Sequence, residues 1–228
     1  MIYLLNILLF FITIVLLWIV VILLGFRREI DAIFERDPAA RNYLEVVLLY
    51  SGLHAIVLYR IAHVLLKARI PFLPRFLSQL ARFFTGIEIH PGAQIKEGLF
   101  IDHGMGVVIG ETSIVGNNVT LYQGVTLGGT GKERGKRHPN IGDNVVIGTG
   151  AKILGNITIG ENSYIGANAV VVKDVPPNST VVGVPGRIAK QEGKKIDTTL
   201  DHVHVLDPLK QSLEEMEERL SKLEKRIK

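Results

Sequence analysis

Residues 141–171 read IGDNVVIGTGAKILGNITIGENSYIGANAVV, and an aliphatic side chain falls on every sixth position: Ile141, Ile147, Ile153, Ile159, Ile165 and Val171. That period is neither the 3.6 of a helix nor the 2 of an isolated strand. Gly follows the aliphatic at Gly142, Gly148, Gly160 and Gly166, and the fifth position of each hexad holds a small or β-branched residue: Val145, Ala151, Ile157, Ser163 and Ala169. Such a chain coils. Short strands stack on the coil below, and the inward aliphatics form one continuous ladder. The stretch therefore predicts a parallel β-helix.

Working outward, the same spacing holds at Ile109, Val115, Leu121 and Leu127, and again at Ile89, Ile95 and Ile101, which makes thirteen ladder positions. The count breaks twice. Ile101 to Ile109 is eight residues, with the surplus in Asp102-His103-Gly104-Met105-Gly106, and Leu127 to Ile141 is fourteen, so residues 128–140 leave the stack as a loop. A repeat fold accepts insertions only outside its stack, and such loops commonly build its binding face. Each interruption carries a histidine.

His103 stands beside Asp102, and Glu88 lies fifteen residues earlier. If one coil takes about eighteen residues, Glu88 falls nearly one coil beneath His103, where stacked strands are about 4.8 Å apart. A carboxylate there would orient an imidazole and stabilise its charged form, as a general base requires. A lone histidine is more often structural, so both readings stand on the residues alone. In the loop, Arg137 offers a guanidinium fork for a carboxylate and His138 a second imidazole. The Gly-rich run from Thr126 to Lys132 lets a backbone approach a ligand closely or simply bends; without a following helix it is not a phosphate-binding loop.

The flanks are different in kind. Residues 2–26 are almost wholly apolar, which is enough to span a bilayer. They lack the basic start and small-residue cleavage site of a secretory signal. Arg27-Arg28 follow and no Lys or Arg precedes, so a retained single-pass anchor with the remainder on the cytoplasmic side is expected. A hydrophobic helix buried in an oligomer is the alternative. Asp37-Pro38 reads as N-cap and N1 of a helix. Residues 42–70 read as one apolar helix with five ionisable groups, more suited to burial than to a second span. A short helix follows, ending at Gly86. After the β-helix comes a polar linker. Leu209, Leu213, Met216, Leu220, Leu223 and Ile227 then form a heptad seam, expected as a coiled coil or an amphipathic helix on its own subunit. The expected organisation is an anchor at 1–28, a helical region at 29–86, the β-helix at 87–190, a linker at 191–206 and the coiled-coil helix at 207–228.

With 228 residues, formal charge +4 and a pI near 9.3, the chain is mildly basic. Its cations are scattered among carboxylates with no basic stripe, so no nucleic-acid partner is expected. Without cysteine, disulfides and thiolate metal sites are excluded.

The run Gly86-Ile87-Glu88-Ile89-His90-Pro91-Gly92-Ala93, then Ile101-Asp102-His103-Gly104, Val108-Ile109-Gly110-Glu111-Thr112, Gly124-Val125-Thr126-Leu127-Gly128-Gly129-Thr130-Gly131-Lys132 and Arg137-His138-Pro139 strongly resembles the serine O-acetyltransferases. Arg36-Asp37-Pro38-Ala39, Leu53-His54-Ala55 and Tyr59-Arg60-Ile61 match that family's helical region. The resemblance covers about residues 32–190.

It implies a left-handed β-helix and a homotrimer that moves acetyl from acetyl-CoA to the hydroxyl of L-serine, giving O-acetyl-L-serine for cysteine biosynthesis. No metal enters. By the same resemblance His103 is the base and Glu88 its acidic partner. Asp37 and Asp102 hold the substrate amine, Arg137 its carboxylate, and His138 is a second substrate contact. Gly129, Thr130, Thr149 and Ala167 line the groove for coenzyme A between neighbouring β-helices. Longer members insert a C-terminal isoleucine into the sulfhydrylase that uses O-acetylserine. This chain ends Arg226-Ile227-Lys228, so no stable complex of that kind is expected. Two rivals come from other classes: a β-helical carbonic anhydrase using His90, His103 and His138 on zinc, and a tethered structural trimer. Within the acyltransferases, a sugar or other acceptor is the nearest alternative.

Overall fold

The computed structural model describes residues 2–131 and 134–191, together with Met216 and Arg219. Almost all of the expected linker and coiled-coil helix lies outside the described residues. Five helices precede the strands: α1 (Ile2–Gly25), α2 (Arg27–Arg36), α3 (Tyr43–Leu49), α4 (Ser51–Lys67) and α5 (Leu73–Thr85).

The strands stack as three sheets. The first holds β1 (Glu88–Ile89), β4 (Val108–Ile109), β7 (Thr126–Gly128), β10 (Lys152–Leu154) and β13 (Val170–Val171). The second holds β2 (Gln94–Ile95), β5 (Ile114–Val115), β8 (Asn140–Ile141) and β11 (Thr158–Ile159). The third holds β3 (Phe100–Asp102), β6 (Thr120–Tyr122), β9 (Val146–Ile147), β12 (Tyr164–Ile165), β14 (Ser179–Val182) and β15 (Arg187–Gln191). Every ladder is parallel except β14 with β15.

This is the β-helix the hexads predict. All thirteen ladder aliphatics are buried in one core. The register pairs Glu88–Val108, Val108–Thr126, Thr126–Lys152 and Lys152–Val170 give coils of twenty, eighteen, twenty-six and eighteen residues. Eighteen is three hexads. The twenty carries the expansion around His103 and the twenty-six carries the loop, so both surpluses leave the ladder unbroken. Where the second sheet turns into the third, Asn118, Asn144, Asn162 and Asn178 all take positive φ near 55°. Asn tolerates that region better than other residues with a Cβ. Asn144 Nδ2 donates to Asn162 Oδ1 at 3.1 Å, continuing the stack along the outside.

Two helical expectations are corrected. Asp37-Pro38 does not open a helix: Asp37 caps the C-terminus of α2, its N–H bonding the Ile33 carbonyl at 2.8 Å. Its carboxylate is spent elsewhere, on the Ala39 N–H at 2.8 Å and the Tyr50 hydroxyl at 2.6 Å. The N-cap is Asn42, whose Oδ1 accepts the Glu45 N–H at 2.9 Å while its side-chain Nδ2 donates to the Glu45 carboxylate at 3.4 Å. The single helix expected over 42–70 is two, α3 and α4, bent by 61° at Tyr50, where the backbone is extended.

Of α1, Tyr3–Gly25 is long and apolar enough to cross a membrane. Most of it is exposed, but its last turns dock. Ile22 is fully buried among Ile30, Ile33, Val46, Val47, Leu53, Val57 and Phe100, with Trp18 and Ile19 packed against them. α4 lies against β1 and β3, and α5 against β1, so helices cover the start of the stack. The approach is close enough at Gly52 that a Cβ would run into the Ile101 carbonyl. At the other end β15 folds back antiparallel on β14.

Candidate active site

The first group of side chains forms where the third sheet turns into the first, at the end of the opening coil. Asp102 ends β3, and His103 follows with φ +56, a left-handed backbone unusual for a residue with a Cβ. Strain of this sort survives where surrounding structure fixes it, and it gathers at functional sites. Here it throws the imidazole outward: the side chain is 76% exposed, with Nε2 3.9 Å from Asp102 Oδ1. Facing it is the α3–α4 break. Asp37, Ala39, Leu49, Tyr50, Ser51 and Gly52 close a cavity of about 340 Å³ with Ile101, Asp102 and His103. Ser51 Oγ donates to the His103 carbonyl at 3.2 Å. Burial, then the bond to Asp37, pushes the Tyr50 phenol far up, so it stays protonated and donates to that carboxylate. Tyr122, paired with Asp102 on the next coil, is likewise pushed up by burial and then by Asp102.

The second group lies where the first sheet turns into the second. Arg137 Nη2 donates to Glu111 Oε2 at 2.5 Å, and this bond is the main cause holding the Glu111 carboxyl below its usual range. Thr112 organises the loop's return. Its Oγ1 accepts the Arg137 and His138 N–H groups at 3.0 and 3.1 Å, and its own N–H reaches His138 Nδ1 at 3.2 Å. An Nδ1 that accepts a backbone N–H leaves the imidazole proton on Nε2. Burial, then Arg137, lowers the His138 pKa, so the ring is neutral and a fixed donor. Gly110 gives the ring its room, since a Cβ there would overlap the imidazole. His90, one coil earlier, is also lowered by burial and then by Arg75.

The predicted site residues thus fall into two sets: Asp37, Asp102 and His103 at one corner, Arg137 and His138 at another. Thr149 and Ala167 continue the His103 corner on later coils, in a column linked by the Gly150 N–H to the Gln123 carbonyl and the Asn168 N–H to the Thr149 carbonyl. Gly129 and Thr130 belong to the other corner, with Gly129 against Arg137 and Thr130 over Gly155. Glu88 does not lie beneath His103. The extra two residues lengthen that coil to twenty, so Glu88 pairs with Val108, and its carboxylate is held by α5: Arg82 at 3.0 Å, Arg75 at 3.6 Å and Gln79 at 3.3 Å. Tyr50, Ser51, Glu111 and Thr112 contact these two groups and are passed over by pattern reading, although Glu111-Thr112 stand inside a stretch that carries the resemblance. Among the described residues, no three His, Asp or Glu side chains are gathered as a metal ion would require; His103 is at one corner, His90 and His138 at the other.

The arrangement offers an exposed imidazole beside carboxylates that suit an ammonium group, and a guanidinium beside a neutral imidazole donor. Comparison with known proteins agrees with that chemistry. Residues 138–173 match the model described as "Bacterial transferase hexapeptide (six repeats)" and residues 21–57 match "Serine acetyltransferase, N-terminal". The chain is 59% identical over 197 residues to the serine acetyltransferase of Bacillus pumilus, covering 86% of this chain and 91% of that one. Among solved structures, the Neisseria gonorrhoeae serine acetyltransferase in complex with serine superposes with a TM-score of 0.70 at 48% identity, over 72% of this chain and 66% of that one. The Brucella abortus serine acetyltransferase in complex with coenzyme A does so with a TM-score of 0.71 at 47% identity, over 73% of this chain and 67% of that one. The chain spans about two thirds of these solved chains and nine tenths of the Bacillus relative. By this identity and coverage, and by the site its coils assemble, the chain belongs to the serine acetyltransferase family.

Proposed function

We propose that this chain transfers acetyl from acetyl-CoA to the hydroxyl of L-serine in a homotrimer, each site combining the His103 corner of one chain with the Arg137 corner of its neighbour. The observation that carries this reading is the separation of the two sets. They are built on different corners of one β-helix, and each alone lacks half of what an amino-acid acceptor needs. A closed ring of identical chains meets corner to corner by symmetry.

In that site the serine ammonium lies between Asp37 and Asp102, with Tyr50 fixing the Asp37 carboxylate. The serine carboxylate takes the Arg137 fork, which Glu111 orients. His103 accepts the hydroxyl proton as the oxygen attacks the thioester carbonyl, and the tetrahedral intermediate then collapses with expulsion of the coenzyme A thiolate. The imidazolium returns its proton to that sulfur, so protons balance and no covalent enzyme intermediate forms. His138 Nε2–H supplies a fixed donor toward the acceptor. The family resemblance assigns Glu88 as the acidic partner of His103; within one chain its carboxylate pairs with Arg75 and Arg82. Coenzyme A runs between Thr149 and Ala167 of one chain and Gly129 and Thr130 of the next. α1 anchors the trimer by a single pass, with Arg27-Arg28 on the cytoplasmic side; protease accessibility in sealed vesicles tests that orientation.

The deciding experiment mixes two inactive variants, His103→Asn and Arg137→Leu, by co-expression. If sites lie between chains, about a quarter of interfaces in randomly mixed trimers carry both native residues. Thiol release from acetyl-CoA with serine should then return toward a quarter of the parent rate. Mixed trimers as inactive as either variant would exclude a shared site. The same assay against other hydroxyl acceptors fixes the substrate.

A further inference from the structure

Trp18 lies on α1, away from both corners, yet its indole Nε1–H donates to His54 Nδ1 at 3.1 Å. The ring planes are 12° from parallel with centroids 6.1 Å apart, so the two rings meet edge to edge through that bond. An indole nitrogen can only donate, so His54 Nδ1 is unprotonated and the ring's proton sits on Nε2. That nitrogen is 3.1 Å from the Leu48 carbonyl and donates to it. Leu48 is in the last turn of α3, whose final carbonyls have no partner within the helix. His54 therefore caps α3 from the side, at the point where the chain breaks.

The next four residues, Leu49, Tyr50, Ser51 and Gly52, line the His103 cavity. Two of them touch the site groups directly: Tyr50 holds Asp37 and Ser51 holds the His103 carbonyl. An unbroken series of hydrogen bonds and adjacent residues thus runs from Trp18 through His54 and Leu48 to Asp37 and His103. It has one direction of donation, so the indole N–H fixes the tautomer that lets His54 grip Leu48.

We infer that Trp18 and His54 are positioning residues for the acceptor: how α1 is seated sets serine affinity. This rests on the assignment of the Asp37–His103 cavity to the acceptor amino acid. Coenzyme A, proposed to run along later coils, should not sense the change.

The test is Trp18→Phe in the full-length chain, which keeps an aromatic ring against His54 but removes the donor. Serine KM, acetyl-CoA KM, kcat and thermal midpoint are measured beside hydrogen–deuterium exchange of the amides of residues 49–53. The expectation is a serine KM raised about fivefold, the worth of one net hydrogen bond. Acetyl-CoA KM and the midpoint should hold, and exchange at residues 49–53 should quicken. His54→Ala should reproduce the pattern more strongly. A serine KM within twofold of the parent, unaltered exchange at residues 49–53, or both KM values rising together with a fallen midpoint would each overturn the inference. If exchange responds while the parent chain turns over no serine, the positioning link stands and the acceptor assignment is what fails.

Discussion

Set the His103 corner beside the His138 corner. Both histidines stand in breaks of one repeat and both sit next to a charged residue, yet their surroundings are opposite. His103 has a left-handed backbone and a side chain 76% exposed, while His138 is 8% exposed with Nδ1 bonded to Thr112. The difference teaches that an interruption of a repeat supplies only the opportunity for chemistry. A two-residue surplus cannot leave the wall, so it twists and projects a side chain. A longer loop folds back on the wall and locks its own residues.

The largest effect that tests this contrast is on the exposed member. His103→Asn should lower kcat by about 10² to 10⁴, the usual worth of a positioned base. Thermal stability and coenzyme A affinity should stay near parent values, because little of the ring is packed. A folded variant retaining more than about a tenth of the parent rate would break the contrast. The buried member should behave the other way. His138→Ala removes the acceptor of the partly buried Thr112 amide, which costs about 0.5–1.5 kcal/mol of stability, read from urea unfolding. Tyr50→Phe sharpens the picture at the first corner. It deletes only the hydroxyl held on Asp37, and a rise in serine KM of about fivefold is expected with acetyl-CoA KM unchanged.

The smallest effect is on the pH dependence of stability. Burial holds His138 and His90 below the ordinary imidazole value of about 6.5. The unfolded chain therefore binds protons that the folded chain refuses. Stability should be level above pH 6.5 and fall as pH drops below it toward the lowered values. His138→Gln should flatten that slope, measured as unfolding midpoints between pH 7.5 and 5. An unchanged slope would show that another group carries it.

The sequence made the ladder legible because each of its thirteen positions reports the same physical demand, burial of one aliphatic. The corners were harder. Counting in eighteens sets Glu88 beneath His103 because it ignores where a surplus is absorbed, and the surplus here falls between β3 and β4. Asp37-Pro38 is ambiguous because an Asp beside a Pro serves a turn as readily as a cap; Asn42 with Glu45 is the cap in the same stretch. The break at Tyr50 has no Pro, and its cause is the pull of Asp37 on the phenol together with the grip of His54, both contacts between distant residues. The resemblance names candidate residues one by one, but their division between two corners depends on which sheet each break follows, and that needs the register.

The end of the stack carries one more consequence. A column of parallel strands has open backbone groups at its last coil, and an open edge templates further strands from other molecules. Helices cover the first coil, and at the far end β15 turns back antiparallel on β14, a pairing that the parallel hexads cannot extend. The reversal interrupts the parallel pairing of the third sheet. Arg187–Gln191 thus give the third sheet an end strand of the opposite direction, on which another molecule's parallel strand finds no matching partner.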